Sequence, residues 1–329
     1  MNDLHDEDAL VKEIALHFLP NRGRKLRLGI GDDAALWKPK PGYVAVLTSD
    51  WFLEGSHFLR EKHPPDSVGW KCLARAASDI AAMGGTPRCF LLNLALPGSA
   101  TAKWLKRFLG GLRRAAKSLD CMLAGGDTTR GVRTLISITV IGEIREGQEI
   151  LRSGAHPGDR LYVSGTLGEA ENGLRLLRRR VDRVNPQNSD MRKHLYPEPR
   201  VELGRWLAEK RLATAMMDLS DGLSTDLPRL CAASGVGALV DPDRLPALLG
   251  MDWQSARQLA LHGGDDYELL FSVPPARALL LPAKFRGLRL TKIGEITAGR
   301  GVRIIGKNGM PEKLAAAGWD PFRQTKQRL

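Results

Sequence analysis

The sequence predicts a two-domain α+β protein, and three observations support this fold class. The chain has 329 residues, which exceeds the usual size of a single domain. Strand-like and helix-like segments follow one another irregularly, without the strict βαβ repetition of a doubly wound sheet. A stretch rich in glycine, proline and other turn residues at 153–159 indicates a hinge. We therefore expect an N-terminal domain over residues 1–150 and a C-terminal domain over residues 151–329.

Apolar periodicity and turn residues predict the elements of the N-terminal domain in order. An amphipathic helix is expected at 7–18, before Pro20. An alanine-rich helix is expected to start at Ser67 and to stop at Gly84. A third helix at 101–119 carries an apolar stripe with a period of 3.6. Strands are expected at 43–47, 89–96 and 135–144.

The same signals predict the elements of the C-terminal domain. Strands are expected at 160–164, 237–240 and 267–273. Helices are expected at 167–180, 202–210 and 226–233. Between the first two helices, residues 181–199 are polar and contain proline, and this composition predicts a loop.

Bulk composition excludes several classes of protein. The apolar fraction is 43% and the charged fraction 26%, which are ordinary for a globular protein. The apolar runs are shorter than the roughly 18 residues that span a membrane. The first residues are acidic and polar, unlike a signal peptide. The four cysteines are far apart without a C-x-x-C pair, so we expect neither a zinc site nor disulfides, and we expect a cytoplasmic protein.

A net charge of +12 raises the possibility of a nucleic-acid-binding protein. The basic residues, however, fall mainly on predicted helix faces, including the helix at 101–119. Such residues are typical of a solvated surface. A positive field that steers anionic substrates is the functional alternative.

Aspartates in short, small-residue contexts are the main chemical signal. Hard cations such as Mg²⁺ take oxygen ligands, and Mg²⁺ is often bound by carboxylates together with substrate phosphates. The sequence contains no G-x-x-x-x-G-K-[ST] motif and no G-x-G-x-x-G motif that opens a helix after a strand. Metal-bound carboxylates are therefore the candidate phosphate-binding groups. These aspartates are Asp32, Asp33, Asp50, Asp79, Asp127, Asp218 and Asp221.

Each of these contexts also has a purely structural interpretation. The Gly-Asp-Asp turn at 31–33 presents neighbouring side chains to opposite faces, so we expect only one of Asp32 and Asp33 to reach a metal and the other to order the loop. Asp79 lies on a small-residue helix, either as an ion ligand or as an exposed mid-helix residue. A lone histidine such as His57 is more often structural than functional.

Three further motifs contain hydroxyls or glycines beside an aspartate. Thr48, Ser49 and Asp50 end a predicted strand, where they could bind a cation or form a cap. The run Gly-Gly-Asp-Thr-Thr-Arg-Gly at 125–131 permits close approach of backbone N–H groups to an anion, and a plain loop is the alternative. The run Asp-Leu-Ser-Asp-Gly at 218–222 begins a helix, with Ser220 and Asp221 as expected caps.

Together with Gly-Gly-Asp-Asp-Tyr-Glu-Leu at 263–269, these motifs form an ordered series that resembles thiamine-monophosphate kinase. The resemblance extends from Gly29 to Phe322. It implies the α+β fold of aminoimidazole-ribonucleotide synthetase, dimerisation through the N-terminal sheets, and sites in clefts along the domain interface. It also implies Mg²⁺-dependent transfer of the γ-phosphoryl group of ATP to thiamine phosphate.

The resemblance implies roles residue by residue. The implied Mg²⁺ ligands are Asp33, Thr48, Ser49, Asp50, Asp79, Asp127 and Asp218, with Asp221 binding a further ion. The implied ATP contacts are Gly126, Asp127, Arg152 and Ser220. The implied contacts to thiamine phosphate are His57, Asp265 and Trp319.

Two residues depart from the family pattern. Asp265 replaces a glutamate that the family commonly has, and Trp51 replaces a common Met or Thr beside Asp50, where its bulk is expected to reshape the pocket. The runner-up is aminoimidazole-ribonucleotide synthetase itself, which lacks the features at His57 and 263–268. Selenophosphate synthetases carry a reactive Cys or selenocysteine in an N-terminal glycine-rich segment, whereas the first cysteine here is Cys72. The related hydrogenase-maturation proteins end in cysteine, whereas this chain ends in leucine.

Overall fold

The computed structural model describes residues 7–18, 26–30, 33–179, 188–306 and 308–322. The chain divides into two compact units. Unit 1 comprises Met1–Glu149 and Leu176–Arg211, and unit 2 comprises Ile150–Arg175 and Leu212–Leu329. Helix α4 (Glu169–Arg179) contains one boundary between the units, which falls between Arg175 and Leu176. The expectations for Asp32 and for residues 181–187 lie outside the described residues.

Unit 1 is built from helices packed on a four-stranded sheet with the order β3-β6-β4-β5. Its other helices are α1 (Glu7–His17), α2 (Pro65–Ala82), α3 (Ala102–Ser118), α5 (Ser189–Leu195) and α6 (Val201–Glu209). Its strands are β1 (Leu26–Leu28), β2 (Leu36–Trp37), β3 (Tyr43–Leu53), β4 (Thr86–Leu96), β5 (Met122–Arg130) and β6 (Leu135–Arg145). Strands β4 and β5 are parallel, whereas β6 is antiparallel to both β3 and β4.

The core of unit 1 lies between the sheet and helices α2 and α3. The periodic stripe predicted for α3 is confirmed, since Trp104, Leu105, Phe108 and Leu112 are all buried. Thr101 caps this helix by accepting a hydrogen bond from the Trp104 backbone N–H at 3.1 Å. The hydroxyl cap and the apolar stripe together explain why the sequence signal for α3 was clear.

Unit 2 contains one large sheet with the strand order β14-β13-β9-β12-β7-β10-β8. Strand β11 also pairs with β12, outside this order. Its strands are β7 (Arg160–Ser164), β8 (Ala215–Asp218), β9 (Gly237–Val240), β10 (Leu269–Val273), β11 (Lys284–Phe285), β12 (Leu288–Thr297), β13 (Gly301–Ile305) and β14 (Pro311–Lys313). Its helices are α7 (Leu223–Ser234), α8 (Trp253–His262), α9 (Pro275–Ala278) and a short 3-10 helix (Pro242–Arg244). Strand β10, which lies next to the edge strand β8, is buried along its whole length and is antiparallel to β7 and β8.

Several predicted boundaries were wrong for identifiable reasons. The predicted loop at 181–199 contains helix α5, which Asn188 caps by accepting from the Met191 N–H at 2.9 Å. The predicted strand at 267–273 starts later, at Leu269, because Tyr267 has a positive φ of 50°. No helix in the described part of the chain is long and apolar enough to cross a membrane.

Candidate functional site

Strand β3 and helix α2 bring three predicted site residues together in unit 1, namely Thr48, Asp50 and Asp79. The Thr48 hydroxyl donates to Asp79 Oδ2 at 2.5 Å. Two residues along the strand, Asp50 Oδ2 accepts from Arg75 Nε at 3.3 Å, and Arg75 lies one helical turn before Asp79. Because side chains alternate along a strand, Thr48 and Asp50 share the face that packs on α2. The structure thus places both aspartates on one seam between the strand and the helix.

Ser49 and Trp51 lie on the opposite face of the same strand. Thr48–Asp50 were predicted at a strand end, which was wrong, because β3 continues to Leu53. Ser49 Oγ lies 2.9 Å from Thr139 Oγ1 on β6, away from the α2 seam. Trp51 is 58% exposed on this outer face. Trp51 therefore does not occupy the space beside the Asp50 carboxylate, contrary to the expectation from sequence adjacency.

A cavity of about 910 Å³ in unit 1 gathers a second set of predicted residues. Its lining includes Asp33, Gly126 and Asp127, together with Asn93 and Thr128. Asn93 and Asp127 are directly paired across β4 and β5. The Thr128 hydroxyl oxygen is buried and, among the described residues, has no hydrogen-bond partner. The cavity thus combines two carboxylates with an amide and a hydroxyl that offers an uncommitted oxygen.

The glycine-rich run at 125–131 lies in strand β5 and its immediate exit, which excludes the plain-loop alternative. Gly126 has a φ of 149°, and a Cβ atom there would lie 1.8 Å from the Leu92 carbonyl oxygen. Close approach of two backbones therefore requires glycine at this position, whereas the sequence analysis expected the glycines to admit an anion. The backbone that approaches is the neighbouring strand β4.

His57 lies in the turn after β3. The Leu53 backbone N–H donates to His57 Nδ1 at 3.0 Å. The ring centroid lies 5.8 Å from that of Phe52. A neutral His57 ring with Nδ1 accepting carries its proton on Nε2, so it presents a donor at the other nitrogen.

In unit 2, the turn at 218–222 is organised by a carboxylate that the sequence analysis did not select. Asp218 is the last residue of β8 and is buried. The expected caps Ser220 and Asp221 do not cap α7. Instead, their backbone N–H groups donate to Asp226 Oδ2 at 3.1 Å and 3.0 Å. Burial, and secondarily the charge of Asp221, raises the pKa of Asp226 to about 6.

Arg229 pairs with both Asp221 of this turn and Asp226 of α7. Its Nη1 atom lies 2.6 Å from Asp221 Oδ2 and 2.8 Å from Asp226 Oδ1. Asp221, a predicted metal ligand, thus forms a salt bridge with an arginine of the same chain. The arginine is on α7, two turns after the aspartate.

Two more predicted site residues, Asp265 and Trp319, form backbone hydrogen bonds to the same turn in unit 2. The Asp265 N–H donates to the Ser220 carbonyl at 2.8 Å, and the Trp319 N–H donates to the Asp221 carbonyl at 2.9 Å. Residues distant in sequence therefore meet at two adjacent peptide groups. Arg152 lies elsewhere in unit 2, where its carbonyl accepts from Ser234 Oγ at 2.7 Å.

Among the described residues, no group of three or more His, Cys, Asp or Glu side chains forms a cluster that could hold a metal ion. The predicted ligands occur instead as pairs and single residues. The donors are all oxygens, the type that Mg²⁺ prefers. The short Thr48–Asp79 contact and the unpartnered Thr128 oxygen fit such an ion.

Sequence reasoning missed residues that act through folded contacts. Asp226 appeared as an ordinary helical residue, and Arg229 as part of a charged helix face. Asn93 carried no local motif, although its cross-strand partner Asp127 did. Thr128 lay inside a selected motif, so its hydroxyl could have been singled out. Tyr267 likewise lies within the run at 263–269, and the sequence predicted no role for it.

Comparisons with known proteins agree with the resemblance and with the α+β fold. The AIR synthase related protein N-terminal domain matches residues 31–144, and the corresponding C-terminal domain matches residues 156–307. The thiamine-monophosphate kinase of Salmonella typhimurium is 38% identical over 320 residues, covering 94% of this chain and 97% of the relative.

Solved structures give the same result. A thiamine-monophosphate kinase from Stenotrophomonas maltophilia superimposes with a TM-score of 0.82 at 39% identity, covering 91% of this chain and 96% of its own. The structure of AaThiL complexed with AMPPCP and TMP gives a TM-score of 0.76 at 33% identity, covering 89% and 92%. These matches confirm the predicted family and fold. The chain belongs to the thiamine-monophosphate kinase family.

Proposed function

We propose that this protein transfers the γ-phosphoryl group of ATP to thiamine phosphate in a Mg²⁺-dependent, in-line reaction that yields thiamine diphosphate and ADP. One observation carries the proposal. A relative that covers 89% of this chain at 33% identity, AaThiL, was solved with AMPPCP, an ATP analogue, and TMP. The motifs that predicted the family occur in order along both units.

The chemistry of the acceptor explains why the protein needs no side chain that acts as a nucleophile or a general base. The second pKa of a phosphate monoester is about 6, so the attacking oxygen is already anionic near pH 7. Phosphoryl transfer then depends on positioning and electrostatic stabilisation. We accordingly assign no side chain as general base, and we assign His57 to substrate contact.

The proposed Mg²⁺ ligands follow the pairs seen in the structure. Bound Mg²⁺ would offset the repulsion between the two anionic substrates. The Asp79 carboxylate and the Thr48 hydroxyl, which already contact each other, would provide neighbouring oxygens. Asp33 and Asp127 line one cavity and would face the same ligand. The full proposed set, which follows the resemblance, is Asp33, Thr48, Ser49, Asp50, Asp79, Asp127, Asp218 and Asp221. Of these, Ser49 has its side chain on the face of β3 opposite to Thr48 and Asp50.

Two arginines have a defined task in this proposal. Arg75 and Arg229 are the partners of Asp50 and Asp221, and they neutralise these carboxylates within the chain. A cation that takes either carboxylate must compete with its arginine. Such partners limit the repulsion among like charges when fewer ions are bound.

The substrate contacts remain proposals that the resemblance supports. Gly126, Asp127, Arg152 and Ser220 are assigned to ATP, and His57, Asp265 and Trp319 to thiamine phosphate. Asp265 and Trp319 are attached to adjacent peptides of one turn, which supports their action on one substrate. The Asp265 carboxylate suits the positive charge and amino group of the thiamine moiety.

A homodimer and a cytoplasmic location complete the proposal. Strand β3 is at the edge of its sheet, and Leu47 and Trp51 on its outer face are 67% and 58% exposed. An apolar edge strand favours pairing with a second copy of the chain. All four cysteines are buried free thiols, as suits a reducing compartment.

The deciding experiment incubates the purified protein with ATP, thiamine phosphate and Mg²⁺ and separates the products by chromatography. We expect thiamine diphosphate and ADP in equal amounts. Formation of ADP without thiamine diphosphate, or no product at all, would contradict the proposal.

Two variants test the role of the carboxylates. Asp79→Ala and Asp127→Ala should each lower turnover at least about 100-fold, a loss typical of one strong electrostatic interaction at a reacting centre. Their circular dichroism spectra should match that of the wild type. Asp120→Asn is the control, since this exposed aspartate of unit 1 lies outside the cavity lining and asparagine tolerates its positive φ of 49°. Normal turnover of Asp79→Ala or Asp127→Ala would show that the assignment is wrong at that residue.

A further inference from the structure

The segment from Gly263 to Leu269 presents one accessible carboxylate and buries two. Asp266 accepts hydrogen bonds from the backbone N–H groups of Gly168 at 2.7 Å and Ala170 at 3.2 Å. Glu268 accepts from Ser164 Oγ at 2.5 Å and is completely buried. Asp265 remains partly exposed. Within this acidic run, Asp265 is therefore the carboxylate that a substrate can reach.

The backbone that carries Asp265 adopts an unusual conformation twice. Asp265 has a φ of 67° and Tyr267 a φ of 50°, both in the left-handed region that side-chain-bearing residues seldom adopt. Hydrogen bonds to a neighbouring segment of the chain stabilise this conformation. The N–H groups of Asp265 and Tyr267 donate to the carbonyls of Ser220 and Leu219 at 2.8 Å and 2.9 Å. The segment is thus fixed to the turn that also holds Trp319.

Tyr267 holds this carboxylate through a side-chain hydrogen bond. Its ring is buried, with 2% of the residue exposed, and its hydroxyl donates to Asp265 Oδ1 at 2.7 Å. A buried aromatic ring has little freedom, so the hydroxyl is a fixed donor. A hydrogen bond to a carboxylate is also stronger than a neutral one. The direction of the Asp265 carboxylate is therefore set by a side chain that is itself immobilised in the core of unit 2.

We propose that Tyr267 is a positioning residue that orients the Asp265 carboxylate toward thiamine phosphate. The inference rests on the proposed function, in which Asp265 contacts that substrate. Tyr267 is too buried to act on solvent-exposed groups directly, so its effect is transmitted through Asp265. Its removal should weaken binding of thiamine phosphate and leave ATP binding and phosphoryl transfer unchanged.

The test uses Tyr267→Phe, which removes the hydroxyl and keeps the ring. We expect the KM for thiamine phosphate to rise about 5- to 20-fold, as befits the loss of one charge-assisted hydrogen bond. The kcat and the KM for ATP should stay within about twofold of the wild type. The matched control is Tyr162→Phe, because Tyr162 lies on neighbouring β7 and its ring stacks on Phe271 at 5.6 Å. Tyr162→Phe should leave all three constants unchanged.

A double-mutant cycle separates positioning from a general loss of packing. In the Asp265→Asn background, adding Tyr267→Phe should raise the KM for thiamine phosphate less than twofold further, since the oriented carboxylate is already absent. An unchanged KM in Tyr267→Phe, an equal fall in kcat, or independent effects in the double variant would each overturn the proposal.

Calorimetric titration with thiamine phosphate distinguishes this proposal from the proposed function. If the wild type binds thiamine phosphate but forms no diphosphate, the transfer reaction is refuted, and the affinities of wild type and Tyr267→Phe still decide the positioning role. Weaker binding by Tyr267→Phe alone, with Tyr162→Phe unaffected, supports it. Absence of binding by the wild type overturns both proposals.

Discussion

The two neighbouring glycines of strand β5 allow a sharp test of how the cavity is built. A Cβ at Gly126 would lie 1.8 Å from the carbonyl oxygen of Leu92 and 2.5 Å from its carbon. Gly126 also has a φ of 149°. A Cβ at Gly125 would meet only Leu91 Cδ2, at the ordinary distance of 3.7 Å. Gly126→Ala and Gly125→Ala therefore differ in strain while changing the same atoms.

The expected magnitude follows from two costs. Forcing alanine into a positive-φ conformation costs about 1–2 kcal/mol. Inserting a methyl group against rigid backbone costs about 1–3 kcal/mol more. Gly126→Ala should thus lower the free energy of unfolding by roughly 2–5 kcal/mol. Gly125→Ala should change it by less than about 1 kcal/mol, and the loss of glycine flexibility in the unfolded chain favours a small gain.

The assay is urea unfolding followed by circular dichroism, with the midpoints and slopes compared among the three proteins. Activity at a temperature where each variant is folded provides a second measurement. Gly126→Ala with the stability of Gly125→Ala would refute the inference that β4 approaches β5 too closely for a side chain. Such a result would leave an ATP contact as the remaining reason for glycine at 126.

Three further outcomes are expected. Asp66→Asn should lower the free energy of unfolding by about 1–2 kcal/mol at pH 7. Burial raises the pKa of Asp66, but hydrogen bonds from Tyr196 and two arginines outweigh it and lower the pKa overall. The stability difference between wild type and variant should therefore persist above pH 4 and vanish as acid protonates the carboxylate. Urea titrations that show the same difference at pH 3 and pH 7 would contradict this prediction. Trp51→Lys should convert the proposed dimer to monomer in light scattering, and an unchanged mass would refute pairing through β3. Removing Mg²⁺ with EDTA should abolish turnover reversibly, and activity that survives would contradict the metal requirement.

The fold was predictable wherever one physical signal dominated. Helix α3 combines an apolar stripe with a hydroxyl cap, and both local signals indicate the same structure. Strand β3 was predicted too short because Thr48, Ser49 and Asp50 are polar and resemble a strand exit. Their polarity is accommodated by contacts with Asp79, Thr139 and Arg75 on other elements. Local composition carries no information about such partners.

The candidate site was predictable as a set of motifs and unpredictable as a set of contacts. Ser49 and Asp50 are adjacent in sequence, yet strand alternation directs them to opposite faces. Asp265 and Trp319 are far apart in sequence, yet they hold adjacent peptides of one turn. Sequence spacing predicts which side chains share an element. The meeting of Asp265 and Trp319 at the turn 218–222 depends instead on the sheet of unit 2, which brings distant segments together.

The acidic residues of unit 2 show why identical side chains acquire different functions. A buried carboxylate is stable only when donors replace its water. Asp226 and Asp266 meet this condition by accepting backbone N–H groups at the starts of turns and helices, so their charge is used within the fold. Asp265 and Asp221 are partly exposed; Asp265 accepts a hydrogen bond from Tyr267, and Asp221 accepts one from Arg229. A hydrogen bond from a hydroxyl does not offset the charge of a carboxylate, whereas the guanidinium beside Asp221 partly does. In the proposed function, a metal ion that binds Asp221 must therefore compete with Arg229, whereas Asp265 is assigned to the cationic thiamine moiety.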